Sequence, residues 1–253
     1  MTDAPLLDRA ATCYLRAGQV AEAARCYRDA GLFPRSAGLY AQLGRYRDAA
    51  ADYTAAGLVH VAAWTLAHVV GDPAAARALL LGHPSHPSGQ AGQAEPAVAA
   101  MFDALLRRLV LARCDVADGL PDRHILPVLA DVQAMLAEPP VTEPAWPAQS
   151  AWPAQPAWPA NSASRRIEEW AVALAEVAYR YDQVALVFAA AVRGRRTGAE
   201  QRWAAWSARV LHTELTLPSG AVSTGAVPPT AAGVFSPGGP SVAAGSTTSL
   251  SAG

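Results

Sequence analysis

Apolar and small residues recur at helical spacing along most of this chain. In the clearest stretch Tyr46, Ala49, Ala50, Tyr53 and Ala56 fall at i, i+3, i+4, i+7 and i+10, while Arg45, Arg47, Asp48 and Asp52 occupy the opposite face. The same reading predicts helical pairs over residues 5–31 and 36–57, joined by Leu32-Phe33-Pro34-Arg35. A third pair follows over 59–81, with Trp64, Leu66 and Val69 turned inward and Pro73 in the first turn of its second helix. Two further helices are expected. One covers 97–117, with Met101, Leu105, Leu106, Leu109 and Val110 on its apolar side. The other runs from His124 to Ala137, with Ile125, Val128, Leu129, Val132 and Leu136 on one face. The stretch 164–193 carries Ile167, Trp170, Leu174, Val177, Tyr181, Val184 and Phe188 at helical spacing. Ser164 stands at its N-cap and Glu168 and Glu169 in its first turns; with no glycine inside, it reads as one long or kinked helix. A last helix covers about 198–213, with Trp203, Trp206, Val210 and Leu211. No segment alternates branched apolar and polar residues for long, so the class is all-α.

Part of the pattern is written twice. Sliding the chain by 26 residues places Tyr14 on Tyr40, Gly18 on Gly44, Ala23 on Ala49, Tyr27 on Tyr53, Ala30 on Ala56 and Gly31 on Gly57. A fixed period in this range marks stacked supersecondary units. Glycine at both ends of the second helix marks stops, because glycine enters the left-handed conformation without a Cβ penalty. The repeated unit is therefore two short helices joined by a tight turn, with alanines allowing close approach and tyrosines filling the space beside them. Tyr14 and Tyr40, and Ala23 and Ala49, should then have equivalent surroundings.

This spacing resembles the tetratricopeptide repeat family. Tyr40, Gly44, Tyr46, Ala49, Tyr53 and Ala56 match six of its positions, and Tyr14, Gly18, Ala23, Tyr27 and Ala30 match five, with Val20 replacing an aromatic. A third copy keeps Gly71, Ala76 and Leu80 but carries Pro73 and His83 where the pattern differs. The family unit is longer than 26 residues, so the first helix or its loop is shortened here, and related α-solenoid repeats fit nearly as well. The resemblance implies short helical hairpins stacked as an α-solenoid, with a groove lined by the first helix of each hairpin that receives an extended or helical peptide. Counting back from each turn glycine, the groove positions it implies are Thr12, Leu15, Arg16, Gln42, Thr65 and His68. The Lys- and Asn-rich clamp that some members use for a terminal carboxylate is missing.

Composition divides the chain further. Helical repeats occupy 5–82, a proline-rich loop 83–96, a helical pair 97–138 and the last helices 164–216. Between them, 139–163 is low-complexity sequence rich in Ala, Trp and Pro, in which Trp146, Trp152 and Trp158 recur every six residues. In a polyproline II helix they would share a face, as a semi-rigid linker or a display motif for a partner's groove. Residues 217–253 are rich in Gly, Ser, Thr, Pro and Ala, without charge or periodicity, which is the composition of a disordered tail.

Charge and candidate chemistry narrow the functional classes. A net charge of −1 argues against a general polyanion binder, and the Arg193, Arg195 and Arg196 cluster is too small a patch for nucleic acid; it reads as a helix C-terminal cap. All 20 basic residues are arginine, which excludes a P-loop lysine, a pyridoxal Schiff base and a kinase strand lysine. Three cysteines, Cys13, Cys26 and Cys114, show no paired spacing, which fits a reducing compartment and a cytoplasmic protein. The N-terminus lacks the apolar core of a signal peptide. The uncharged stretch from Tyr53 to Gly71 is interrupted at Gly57 and reads as a helix pair, not a membrane span. His83 and His86 lack further ligands, and Asp115, Asp118 and Asp122 lack the spacing of a calcium loop. No nucleophile elbow or dinucleotide fingerprint is present. The expectation is a non-catalytic adaptor for a protein or peptide partner, without cofactor or metal. The alternative is an accessory subunit of a larger enzyme or NTPase complex.

Overall fold

A computed structural model describes residues 3–83, 96–120, 122–139 and 163–217. The helices are α1 (Ala4–Arg16), α2 (Val20–Asp29), α3 (Phe33–Gln42), α4 (Tyr46–Ala55) and α5 (Val59–Trp64), which runs on as a π-helical segment, Thr65–Val70. Then come α6 (Pro73–Gly82), α7 (Pro96–Ala117), a 3₁₀ turn at Asp122–His124, and α8 (Leu126–Ala137). The last three are α9 (Ala163–Val177), α10 (Tyr181–Arg193) and α11 (Ala199–Leu211). The chain is all-α, with short helices stacked on their neighbours, and no strand occurs among the described residues. The expected loop 83–96, linker and tail, with His86, Trp146, Trp152 and Trp158, fall largely or wholly outside the described residues.

The repeat is finer than the 26-residue spacing indicates. Gly18, Gly31, Gly44 and Gly57 stand thirteen residues apart, and all four have φ near +74°. Each is preceded four residues earlier by a tyrosine: Tyr14, Tyr27, Tyr40 and Tyr53. In every case the residue after the glycine donates its N–H to that tyrosine's carbonyl, at 2.8–2.9 Å, closing the helix with a Schellman turn. The physical unit is thus one helix and its glycine turn, and a hairpin is two such units. Tyr-x-x-x-Gly, written four times, carried this signal in the sequence.

The fifth unit is one residue longer. Gly71, φ +72°, lies fourteen residues after Gly57, and the π-helical segment absorbs the extra residue in its wider turn. Two residues before the turn glycine, Arg16 and Gln42 are exposed in α1 and α3; in the fifth unit Val69 takes that place at 46% exposure. Val69, expected inward, therefore faces out, and His68, three residues before Gly71 as Leu15 is before Gly18, is half-buried. Past the glycine, Asp72 Oδ1 accepts from the Ala75 N–H at 3.0 Å and Pro73 opens α6, where no intrahelical N–H is needed.

Alanine and tyrosine make the array's interior. Ala11, Ala23, Ala24, Ala37, Ala49, Ala50, Tyr27, Tyr40 and Tyr53 are buried. Ala23 and Ala49 are equivalent, both without exposed surface, whereas Tyr14 is 37% exposed against 1% for Tyr40. Tyr14 and Tyr40 share a turn geometry but not surroundings. The Arg28 guanidinium of α2 covers the Tyr40 ring at 4.4 Å, and no helix precedes α1 among the described residues to do the same for Tyr14. Tyr46 is likewise exposed at 37%, at the first residue of α4. Charged struts join alternate helices: Arg35 of α3 to Asp8 of α1 at 2.6 Å, and Arg28 of α2 to Asp52 of α4 at 2.7 Å. Arg47 of α4 reaches Asp72 ahead of α6 at 3.0 Å.

The expected linker Leu32-Phe33-Pro34-Arg35 is mostly helix, since Pro34 fits the first turn of α3. On α7, Met101 is 41% exposed although it shares the apolar side with Leu105 and Leu106. The stretch 164–193 is not one helix but two, broken at Tyr179, whose φ of +56° closes α9 without a glycine. Helix α9 begins at Ala163, so Ser164 lies inside it and not at its N-cap. Helix α9 packs against α7, α8 and α10, and its Trp170 ring stacks on Trp64 of α5. The last helices are therefore joined to the repeat array. Gly194 passes so close to the end of α8 that a Cβ there would sit 1.9 Å from the Leu136 carbonyl oxygen. Arg196 then donates to the Met135 and Glu138 carbonyls at 3.0 and 3.3 Å, capping α8 from a neighbouring turn.

Candidate interaction surface

The six positions counted back from the turn glycines separate into two sets. Thr12, Arg16 and Gln42 are exposed, with the Thr12 hydroxyl donating to the Asp8 carbonyl at 3.0 Å, and Leu15 is half-buried against the core. Arg16 and Gln42 hold the same place in α1 and α3, so the stack aligns them. Thr65 and His68 do not join them. Thr65 is buried, its hydroxyl donating to the Val61 carbonyl at 2.8 Å. His68 stacks on Trp64 with ring centres 4.9 Å apart, and its Nδ1 accepts from Arg113 Nε at 3.2 Å. Thr65 belongs to the interior and His68 is half-buried, as Leu15 is at the same place in α1, and Val69 supplies the third exposed position instead.

A buried polar framework holds this surface in place. Ser36 Oγ donates to Asp52 Oδ2, whose other oxygen faces Arg28 Nε at 2.7 Å. Asp52 is 3% exposed, so its charge depends on these partners. Arg28 and Arg45 both lie over the Tyr40 ring, at 4.4 and 4.7 Å. One aspartate and one tyrosine thus tie α2, α3 and α4 together. The amphipathic pattern of α4 places Asp52 with its water-facing residues, so this burial was not legible; it arises where α2 and α3 converge.

A second surface lies between α9 and α11, a cleft of about 390 Å³ floored in part by Phe188 of α10 and Trp206. Its walls are linked by charge. Arg202 grips Glu168 with two hydrogen bonds of 2.6 Å, Arg209 pairs with Glu176 at 2.7 Å, and the Trp206 indole N–H donates to the same Glu176. Glu168 is 2% exposed, and burial pushes its carboxyl up to about 7, against the pull of Arg165 and Arg196. The sequence pattern showed the tryptophans of α11 but not this pairing. The i, i+4, i+7 spacing of Arg202, Trp206 and Arg209 was the signal that could have found it.

Several other ionisable groups are paired or buried. Asp115 and Asp118 pair with Arg77 at 2.8 and 2.6 Å, and Asp122 pairs with Arg180. Burial pushes the Cys114 and Cys26 thiols up, away from the thiolate form. No group of three or more His, Cys, Asp or Glu side chains able to hold a metal occurs among the described residues. No described helix is long and apolar enough to cross a membrane. Compared with protein-family models, with curated proteins and with solved structures, the chain matches none.

Proposed function

We propose that this chain is a non-catalytic interaction scaffold, a tetratricopeptide-like stack whose exposed helix positions bind a partner protein or peptide. The observation that supports this best is the thirteen-residue unit. In its first four copies the turn glycine, the tyrosine four residues before it and the alanine seven before it are fixed, whereas the exposed position two residues before each glycine varies, as Arg16, Asp29, Gln42 and Ala55. Such an arrangement keeps a rigid frame and varies what it displays. The paired charges of the interior act as struts between helices, which suits a frame and not a reaction centre.

The test places a photo-crosslinking side chain at Gln42 in the full chain, and at Arg25 on another face of the array as a control. A partner captured from Gln42 and not from Arg25, and lost when Thr12, Arg16 and Gln42 are replaced by alanine in a chain with unchanged helicity, supports the reading. Equal capture from both positions removes the groove assignment.

A further inference from the structure

His68, three residues before the turn glycine of the fifth unit, lies at the seam where the array meets α9. The column there has three rings: His68 on Trp64 at 4.9 Å, and Trp64 on Trp170 at 4.6 Å with planes 4° apart. Trp64 and Trp170 are 7% and 5% exposed. At the edge of the imidazole, Arg113 of α7 donates Nε–H to His68 Nδ1. Nδ1 therefore accepts, and the ring is neutral in this arrangement. The Arg113 Nη1 atom is buried with no hydrogen-bond partner, and its Nε–H finds an acceptor in His68.

We propose that the His68–Trp64–Trp170 column is an acid-sensitive joint, in which neutral His68 holds α9 against the repeat array and protonated His68 releases it. A proton on Nδ1 removes the acceptor from Arg113 and sets two cations side by side in a half-buried seam. Burial lowers the His68 pKa first, the Arg113 charge lowers it further, and Glu176 of α9 opposes both. The other ionisable groups nearby are held elsewhere. His60 of α5 pairs with Asp103, Arg77 of α6 with Asp115 and Asp118, and Asp52 of α4 with Arg28. Arg166 of α9 faces Tyr53 of α4, whose hydroxyl burial pushes up to about 12. A histidine held below its ordinary value favours the docked state above about pH 6.5, and this contribution fades as the pH falls through that value. Each pH unit between the docked and released values is about a tenfold shift in the docking equilibrium.

The test follows the His68 ring and the Trp64 and Trp170 indole N–H signals by NMR in the full chain, from about pH 8 to about pH 5. The indole signals are assigned by single Trp→Phe substitutions. The expected result is a His68 midpoint below about 6.5, with both indoles moving at that same midpoint and staying still in His68→Gln, which keeps an acceptor for Arg113. The joint is overturned if the ring titrates at or above the ordinary value, if the indoles stay fixed while it titrates, or if His68→Gln shows the same movement. Should His68→Gln not fold, the wild-type ring and indole titrations decide alone. Neither result bears on which partner Gln42 contacts, so the scaffold reading stands or falls separately.

Discussion

Trp64 and Trp170 stack face to face across the seam between α5 and α9, although the first belongs to the repeat array and the second follows the Trp-Pro sequence. Replacing Trp170 by alanine is expected to lower stability by about 3–5 kcal/mol, the range for a large aromatic removed from a packed interior. Urea unfolding measures it. A loss below about 1 kcal/mol would mean that the seam is not part of the stable core.

The turn glycines separate two causes of strain. At Gly44 an added Cβ meets nothing within 4 Å, so Gly44→Ala is expected to cost only the left-handed penalty of about 1–2 kcal/mol. At Gly194 the φ is ordinary but the Leu136 carbonyl oxygen lies 1.9 Å from the Cβ site, so Gly194→Ala should cost more, through backbone displacement at the end of α8. Thermal unfolding of the two variants gives the order, and the reverse order contradicts the packing of α10 on α8.

Tyr179 offers the opposite experiment. It holds a φ of +56° while 81% exposed, so its side chain gains little from the fold and its backbone is strained. Tyr179→Gly is expected to raise stability by about 0.5–1 kcal/mol, after the greater freedom of glycine in the unfolded chain is allowed for. Destabilisation would show that the ring makes a contact of consequence.

Asp52 and Arg28 form a strut between α2 and α4 that is buried at its aspartate end. Asp52→Ala is expected to cost about 1–3 kcal/mol, because the buried Ser36 hydroxyl loses its acceptor while Arg28, 34% exposed, can turn to water. Adding Arg28→Met should recover part of that loss, with a coupling of about 0.5–3 kcal/mol in a double-mutant cycle. Strictly additive losses would mean that the pair is not energetically linked.

Helix content and the repeat were legible in the sequence because alanine stripes and turn glycines are local signals. The division into thirteen-residue units is masked, because residues 18–32 and 44–58 resemble each other more closely than either resembles the helix between them. Tyr179 hid a chain reversal, since a tyrosine in a glycine's place gives no warning of a break. His68 stands three residues before Gly71, as Leu15 does before Gly18, but its partner Arg113 lies 45 residues on, in α7. Trp170 and Glu168 are correct as helix residues, but their partners, Trp64 and Arg202, lie in other helices, and no local period reports such meetings.

A unit of one helix has an effect on parity. Successive helices run in opposite directions, so gaining or losing a single thirteen-residue module would reverse everything downstream, bringing hidden sides outward. Gaining or losing two would preserve orientation and only lengthen or shorten the molecule. Insertions in even steps are therefore expected to be the better tolerated, whereas the lone additional residue before Gly71 is taken up by a local change of winding.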